Sequence, residues 1–174
     1  LALAATGLVQ STPSVPLRSV FFGTQITGLG DVDSDGRGDW AVSTPRSEVG
    51  QPSVWIVSGS TGDAILWFAP SDESQSVGRR IAGVGDVDND EIPDIAVSYG
   101  VRDQPLRRVV VHSGRDASLL LHVEGDRYGH SFGAEIVGVG DVNGDDHDDF
   151  AVSAPHSPVG YVGIYSGASG ARLA

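Results

Sequence analysis

Cysteine is absent from this 174-residue chain, so it offers neither a disulfide framework nor a thiolate metal site. Basic residues are scarce: 11 Lys and Arg stand against 23 Asp and Glu, for a formal net charge of −12 at pH 7. That balance argues against nucleic-acid binding and against adsorption to an anionic membrane. No apolar run is long enough to insert in a bilayer, and the opening Leu1–Ala5 stretch is too short for the core of a signal peptide. The chain does not start with methionine, so a mature product or an excised fragment is expected. Nothing in it reads as a convincing helix.

What is present is one acidic loop in triplicate. Its copies run Asp31-Val-Asp33-Ser-Asp35-Gly-Arg37-Gly-Asp39, Asp86-Val-Asp88-Asn-Asp90-Glu-Ile92-Pro-Asp94 and Asp141-Val-Asn143-Gly-Asp145-Asp-His147-Asp-Asp149. They start at 31, 86 and 141, a constant interval of 55 residues. Oxygen-bearing side chains at loop positions 1, 3, 5 and 9 suit a hard cation with six to eight oxygen ligands. Position 7 (Arg37, Ile92, His147) would contribute its backbone carbonyl, which leaves its side chain free to vary. The expected cofactor is therefore Ca2+, up to three ions, one per repeat. Asn143 replaces a carboxylate in the third loop, and Glu91 stands where a glycine would suit a left-handed turn.

Two rival readings of the loops fare worse. An EF-hand loop needs a bidentate Glu at position 12 and a following helix, but that position holds Val42, Val97 or Val152 in a strand-like run. Acidic surface turns without metal would leave four carboxylates of the first loop repelling one another within nine residues. Arg37-Gly38-Asp39 spells an adhesive tripeptide, yet Asp39 is the ninth loop position and is read as structural.

Alignment on the loops exposes the remainder of the unit. Before them stand Phe22-Gly23, Val77-Gly78 and Phe132-Gly133, then glycine pairs 28/30, 83/85 and 138/140, read as positive-φ or close-approach positions. After them come Trp40-Ala-Val-Ser43, Ile95-Ala-Val-Ser98 and Phe150-Ala-Val-Ser153, then alternating stretches ending in Ser58-Gly59, Ser113-Gly114 and Ser166-Gly167. Short β-branched and aromatic runs between turn residues predict four antiparallel strands per repeat, an all-β propeller blade. The expected organisation is a fourth strand of a preceding or shared blade in 1–20, and repeats at 21–75, 76–130 and 131–174, the last with its fourth strand truncated. Three blades fall short of the four to eight that usually close. A partial propeller, or a ring closed by oligomerisation, is expected.

These residues resemble the FG-GAP repeats of integrin α-subunit β-propellers and their bacterial relatives. Phe22-Gly23 and Phe132-Gly133 match the first half of the motif; Ser43-Thr44-Pro45 and Ser153-Ala154-Pro155 are similar to the second. The middle copy departs from both halves, with Val77-Gly78 and Ser98-Tyr99-Gly100, but keeps its acidic loop. The resemblance implies seven-bladed propellers, calcium between the first two strands of a blade, and a role in extracellular recognition.

Catalysis finds no support. The histidines at 112, 122, 130, 147 and 156 share no ligand spacing, and Ser43, Ser98 and Ser153 repeat without a nucleophile-elbow context. The expected function is thus a non-catalytic, calcium-binding module for extracellular recognition or adhesion, secreted or on the cell envelope. Its partner would be a protein or a glycan, with self-association or further blades of a longer chain. Alternatives are a lectin-like propeller using Trp55 or Trp67, an accessory domain of a secreted enzyme, and a self-assembling scaffold.

Overall fold

The computed structural model describes residues 21–45, 53–69, 75–101, 106–125 and 131–174. Within these residues the β-branched and aromatic runs form strands only. The first sheet is a meander of β1 (Ile26–Gly30), β2 (Asp39–Ser43), β3 (Val54–Val57) and β4 (Ala64–Phe68). The second repeats it with β5 (Gln75–Gly85), β6 (Asp94–Val101), β7 (Leu106–His112) and β8 (Leu119–Glu124). The third has β9 (Ile136–Gly140), β10 (Asp149–Ala154) and β11 (Tyr161–Tyr165). An isolated antiparallel bridge from Tyr165 to Arg172 stands where its fourth strand would begin. All neighbouring strands pair antiparallel, as the blade reading requires. The strand expected before residue 20 lies outside the described residues.

The recurring glycines shape the entry to each acidic loop. Gly28 opposes Trp40 and Gly30 opposes Asp39, so Leu29 bulges out of the ladder. The same break separates Gly83 from Gly85 and Gly138 from Gly140. Gly30, Gly85 and Gly140 take φ of 106°, 76° and 71°, a left-handed backbone that side chains disfavour. At the first glycine of the second and third pairs the demand is close approach, whereas Gly28 has open space around it. A Cβ on Gly138 would stand 2.9 Å from the carbonyl oxygen of Gly83.

Strands β1, β5 and β9 lie side by side, and each sheet buries one face against the next. Between the first and second sheets Leu29, Val32, Val54 and Ile56 meet Val77, Ile81, Ile95 and Val97. Between the second and third, Val84, Val87, Val109 and Val111 meet Phe132, Phe150, Val152 and Tyr165. Positions 55 residues apart thus do the same work, each fully buried side chain worth about 1.5–3 kcal/mol. The middle strands β2, β6 and β10 are buried on both faces, which explains their unbroken apolar runs. On the third sheet the matching forward-facing residues Val139, Val142 and Val162 are 36%, 52% and 62% exposed.

The tryptophans belong to packing. Trp55 is 2% exposed and lies opposite Trp67 across β3 and β4, and both join Val42 and Val57 in a third cluster with Trp40. Trp55 therefore offers no sugar platform, and Trp67 is half-buried against the same cluster.

His112, at the end of β7, is buried beneath Phe68 of the preceding sheet, with ring centroids 4.6 Å apart. Its Nδ1–H donates to the Ala117 carbonyl (3.1 Å), and Nε2 accepts from the Tyr99 hydroxyl (3.0 Å), a fully used neutral ring. Burial pushes its pKa down from 6.5 to about 4, against the hydrogen bonds to Ala117 and Ser118. Below pH 6.5 the unfolded chain therefore binds a proton that the native chain refuses, so stability falls as pH drops towards 4. Urea melts at pH 7.5 and 4.5 are expected to show a wild-type loss larger than that of His112→Gln by about 2–3 kcal/mol. Equal losses in the two proteins would contradict this account of the ring.

Candidate metal centre

The ninth residue of each loop is the first of the second strand, and it is buried: Asp39 at 3%, Asp94 and Asp149 at 0%. Such a carboxylate must find donors, and each finds the same ones. Oδ2 accepts the backbone N–H of the loop's second residue: Val32 at 2.7 Å, Val87 at 2.8 Å, Val142 at 3.0 Å. Oδ1 accepts the N–H of the glycine after the third strand: Gly59 at 2.8 Å, Gly114 at 3.0 Å, Gly167 at 3.0 Å. One side chain thus ties the loop, the second strand and the turn after the third strand. Burial pushes the Asp94 carboxyl up to about 7, with Asp88 and Asp86 adding to it and the two N–H donors opposing. Because Asp39 is held inside in this way, the Arg37-Gly38-Asp39 tripeptide cannot present its carboxylate to a partner.

The other end of the loop is closed by its first residue. Asp31 accepts from Asp35 N and Gly36 N, Asp86 from Asp90 N and Glu91 N, and Asp141 from Gly144, Asp145 and Asp146 N. These donors hold the Asp141 carboxyl below its ordinary value, Asp146 N most of all. Position 5 caps position 7: Asp35, Asp90 and Asp145 each accept its N–H at 2.9–3.1 Å. The turn requires a left-handed backbone at positions 4 and 6, where φ is 60° at Ser34, 61° at Asn89, 68° at Glu91 and 67° at Asp146. Glycine meets the demand at 36 and 144.

Folding brings positions 1, 3 and 9 together. One carboxylate oxygen from each of Asp31, Asp33 and Asp39 lies within 4.8 Å of the others, and Asp86, Asp88 and Asp94 converge in the same way. Opposite ligands of a calcium ion, at about 2.4 Å each, stand about 4.8 Å apart, so the all-oxygen sets fit a hard divalent cation. Asp35 and Asp90 are not in these sets; they serve the turn. In the third loop Asp141, Asp145 and Asp149 are placed as in the others, but Asn143 Nδ2 donates to Asp145 Oδ2 at 3.0 Å. The carbonyls of Arg37, Ile92 and His147 remain at the seventh position. Strands β2, β6 and β10, not helices, follow the loops, which removes the EF-hand rival.

Several contributors were not singled out by sequence reasoning. Gly59, Gly114 and Gly167 sit so close to the loops that a Cβ would fall 2.0 Å from the carbonyl oxygens of Gly38, Pro93 and Asp148. Their invariance across the copies was the signal. Arg115 donates through Nε to Asp90 Oδ2 (2.5 Å) and through Nη2 to the Asp90 carbonyl (2.8 Å). Neighbouring loops also touch. Asp148 Oδ2 accepts from Asp86 N (2.9 Å), Asp148 N donates to Asp86 O (3.0 Å), and His147 Nδ1–H donates to Val87 O (2.7 Å). Ser98 and Ser153 accept the backbone N–H of Arg80 and Glu135.

Residues 133–170 match the family model described as FG-GAP repeat. The chain is similar to integrin alpha-4 of Xenopus laevis, 27% identical over 148 residues, covering 77% of this chain and 14% of that protein. It is also similar to integrin alpha-2 of Bos taurus, 30% identical over 90 residues, covering 47% of this chain and 8% of that protein. The chain thus spans a small fraction of the length of these relatives.

Two substitutions probe the loop frame. Gly114→Ala drives a methyl group into the Pro93 carbonyl and is expected to destabilise by about 1–3 kcal/mol in chemical denaturation. Glu91→Gly relieves a left-handed side-chain residue and is expected to stabilise by about 1 kcal/mol. A neutral result for Gly114→Ala would show that the turn shifts freely.

Proposed function

Because the chain is an FG-GAP repeat protein with integrin-like propeller blades, we propose that it is a non-catalytic, calcium-binding module of extracellular recognition. The observation that carries this reading is the convergence of Asp31, Asp33 and Asp39, and of Asp86, Asp88 and Asp94, at the junction of the first two strands. The ligand sets it assigns are Asp31, Asp33, Asp35 and Asp39 with the Arg37 carbonyl; Asp86, Asp88, Asp90 and Asp94 with the Ile92 carbonyl; and Asp141, Asn143, Asp145 and Asp149 with the His147 carbonyl. Bound calcium would supply charge neutralisation and a cross-link within each hairpin. The protein's own contribution is the frame of backbone N–H donors that orients the carboxylates beforehand. Three ions would bring the formal charge from −12 to about −6, so the acidity of the chain is largely local to its loops.

Secretion or display on the cell envelope follows from this reading, since a recognition role of the integrin kind is extracellular. The similarity to integrin alpha chains favours a protein partner over a glycan, and the burial of Trp55 removes one of the two aromatic platforms a lectin would use. A second reading concerns assembly. Val139, Val142 and Val162 are exposed at positions that the first two sheets cover with the next sheet, which supports a neighbouring blade there. That blade would come from another copy or from elsewhere in a longer chain.

Thermal melts test the cation. At a hundredfold excess over its dissociation constant each ion stabilises the native state by about 2.7 kcal/mol, so three ions rival the whole stability of a small domain. Melting in excess chelator is expected to fall by well over 10 °C from that in millimolar calcium, since about 1 kcal/mol shifts a domain of this size by 2–4 °C. Superimposable melts in chelator and in calcium would refute the reading.

A further inference from the structure

The three loops share one backbone frame, yet among the described residues only in the second does a guanidinium bond a loop carboxylate. We propose that Arg115 is a built-in counter-cation of the second loop, which holds Asp90 and sets this loop's affinity for a divalent cation below that of the first. The inference rests on the cation reading above and deepens it.

The geometry is specific. Arg115 follows Gly114, whose N–H is fixed to Asp94, so the turn after β7 aims the guanidinium at the loop. Its own N–H donates to Ser113 Oγ at 3.1 Å, which anchors the base of the side chain. Two forked donors then take the Asp90 carboxylate and the Asp90 carbonyl, at 2.5 and 2.8 Å. Since Asp90 Oδ1 already accepts Ile92 N at 2.9 Å, both carboxylate oxygens are in use. A metal at Asp90 Oδ2 would have to share that oxygen with the guanidinium.

The other two copies lack the device. The equivalent residue in the first blade is Ser60, whose hydroxyl lies 3.1 Å from Ser58 Oγ, and among the described residues no donor reaches Asp35 Oδ2. In the third blade the equivalent is Ala168. The consequences follow from charge. With calcium scarce, Arg115 offsets part of the repulsion among Asp86, Asp88 and Asp90 and keeps the second loop in shape. With calcium abundant, the same charge opposes the incoming ion. The first blade is then the first to fill, and the second is the least dependent on filling. Arg115 is 57% exposed against 22% for Asp90, so the penalty is modest, about three- to tenfold in affinity.

The test is calorimetric titration of calcium chloride into the whole chain, as wild type, Arg115→Ser and Ser60→Arg. Arg115→Ser is expected to strengthen the weaker class of sites about three- to tenfold with the number of ions unchanged. Ser60→Arg is expected to weaken the tighter class, and it keeps the test open should Arg115→Ser fold poorly. Melts supply a second readout: Arg115→Ser should fall below wild type in chelator and lose that deficit in millimolar calcium. Either variant leaving its affinity unmoved would overturn the role of Arg115 while the cation reading stands. A wild type that takes up no calcium would overturn both.

Discussion

A buried carboxylate with two backbone obligations is the interaction on which the rest of this structure depends. Asp39, Asp94 and Asp149 each begin a second strand, and each satisfies both oxygens with N–H groups from two other segments. A buried charge left unpaired would cost several kcal/mol, so the loop and the turn after the third strand cannot drift independently. The bulge at Leu29, Val84 or Val139 and its left-handed glycine bring the first strand to the same point. A four-stranded sheet is in this way fastened at one end by a single side chain.

Much of this was legible in the sequence because identical positions meet identical constraints at an interval of 55 residues. The second glycine of each pair has the positive φ expected, and close approach holds at Gly83 and Gly138 but not at Gly28. The apolar runs after the loops are the strands buried on both sides. Trp40 stands where the other copies have Ile95 and Phe150, and it packs as they do.

What the sequence hid has a physical reason too. Spacing places carboxylates at positions 1, 3, 5 and 9 of a loop but does not reveal which oxygen each turns inward. Asp33 and Asp88 converge with their neighbours, whereas Asp35 and Asp90, which accept the N–H two residues ahead, fall outside the converging sets. Arg115 lies 25 residues from Asp90, a separation closed only by the pairing of β6 with β7. Ser-Gly reads only as the end of an alternating stretch; its meaning, a backbone contact too tight for a methyl group, exists only in three dimensions.

The ties between adjacent loops are unequal. Asp148 and His147 of the third loop supply partners to Asp86 N, Asp86 O and Val87 O in the second. The second loop meets the first differently, with Pro93 seated against Gly30 and Ile92 packed on the cluster that holds Val32. Fraying of the third hairpin strips three backbone groups of the second in the same event. The second and third loops are therefore tied by polar contacts, whereas the first hairpin is joined to the second sheet chiefly by apolar packing.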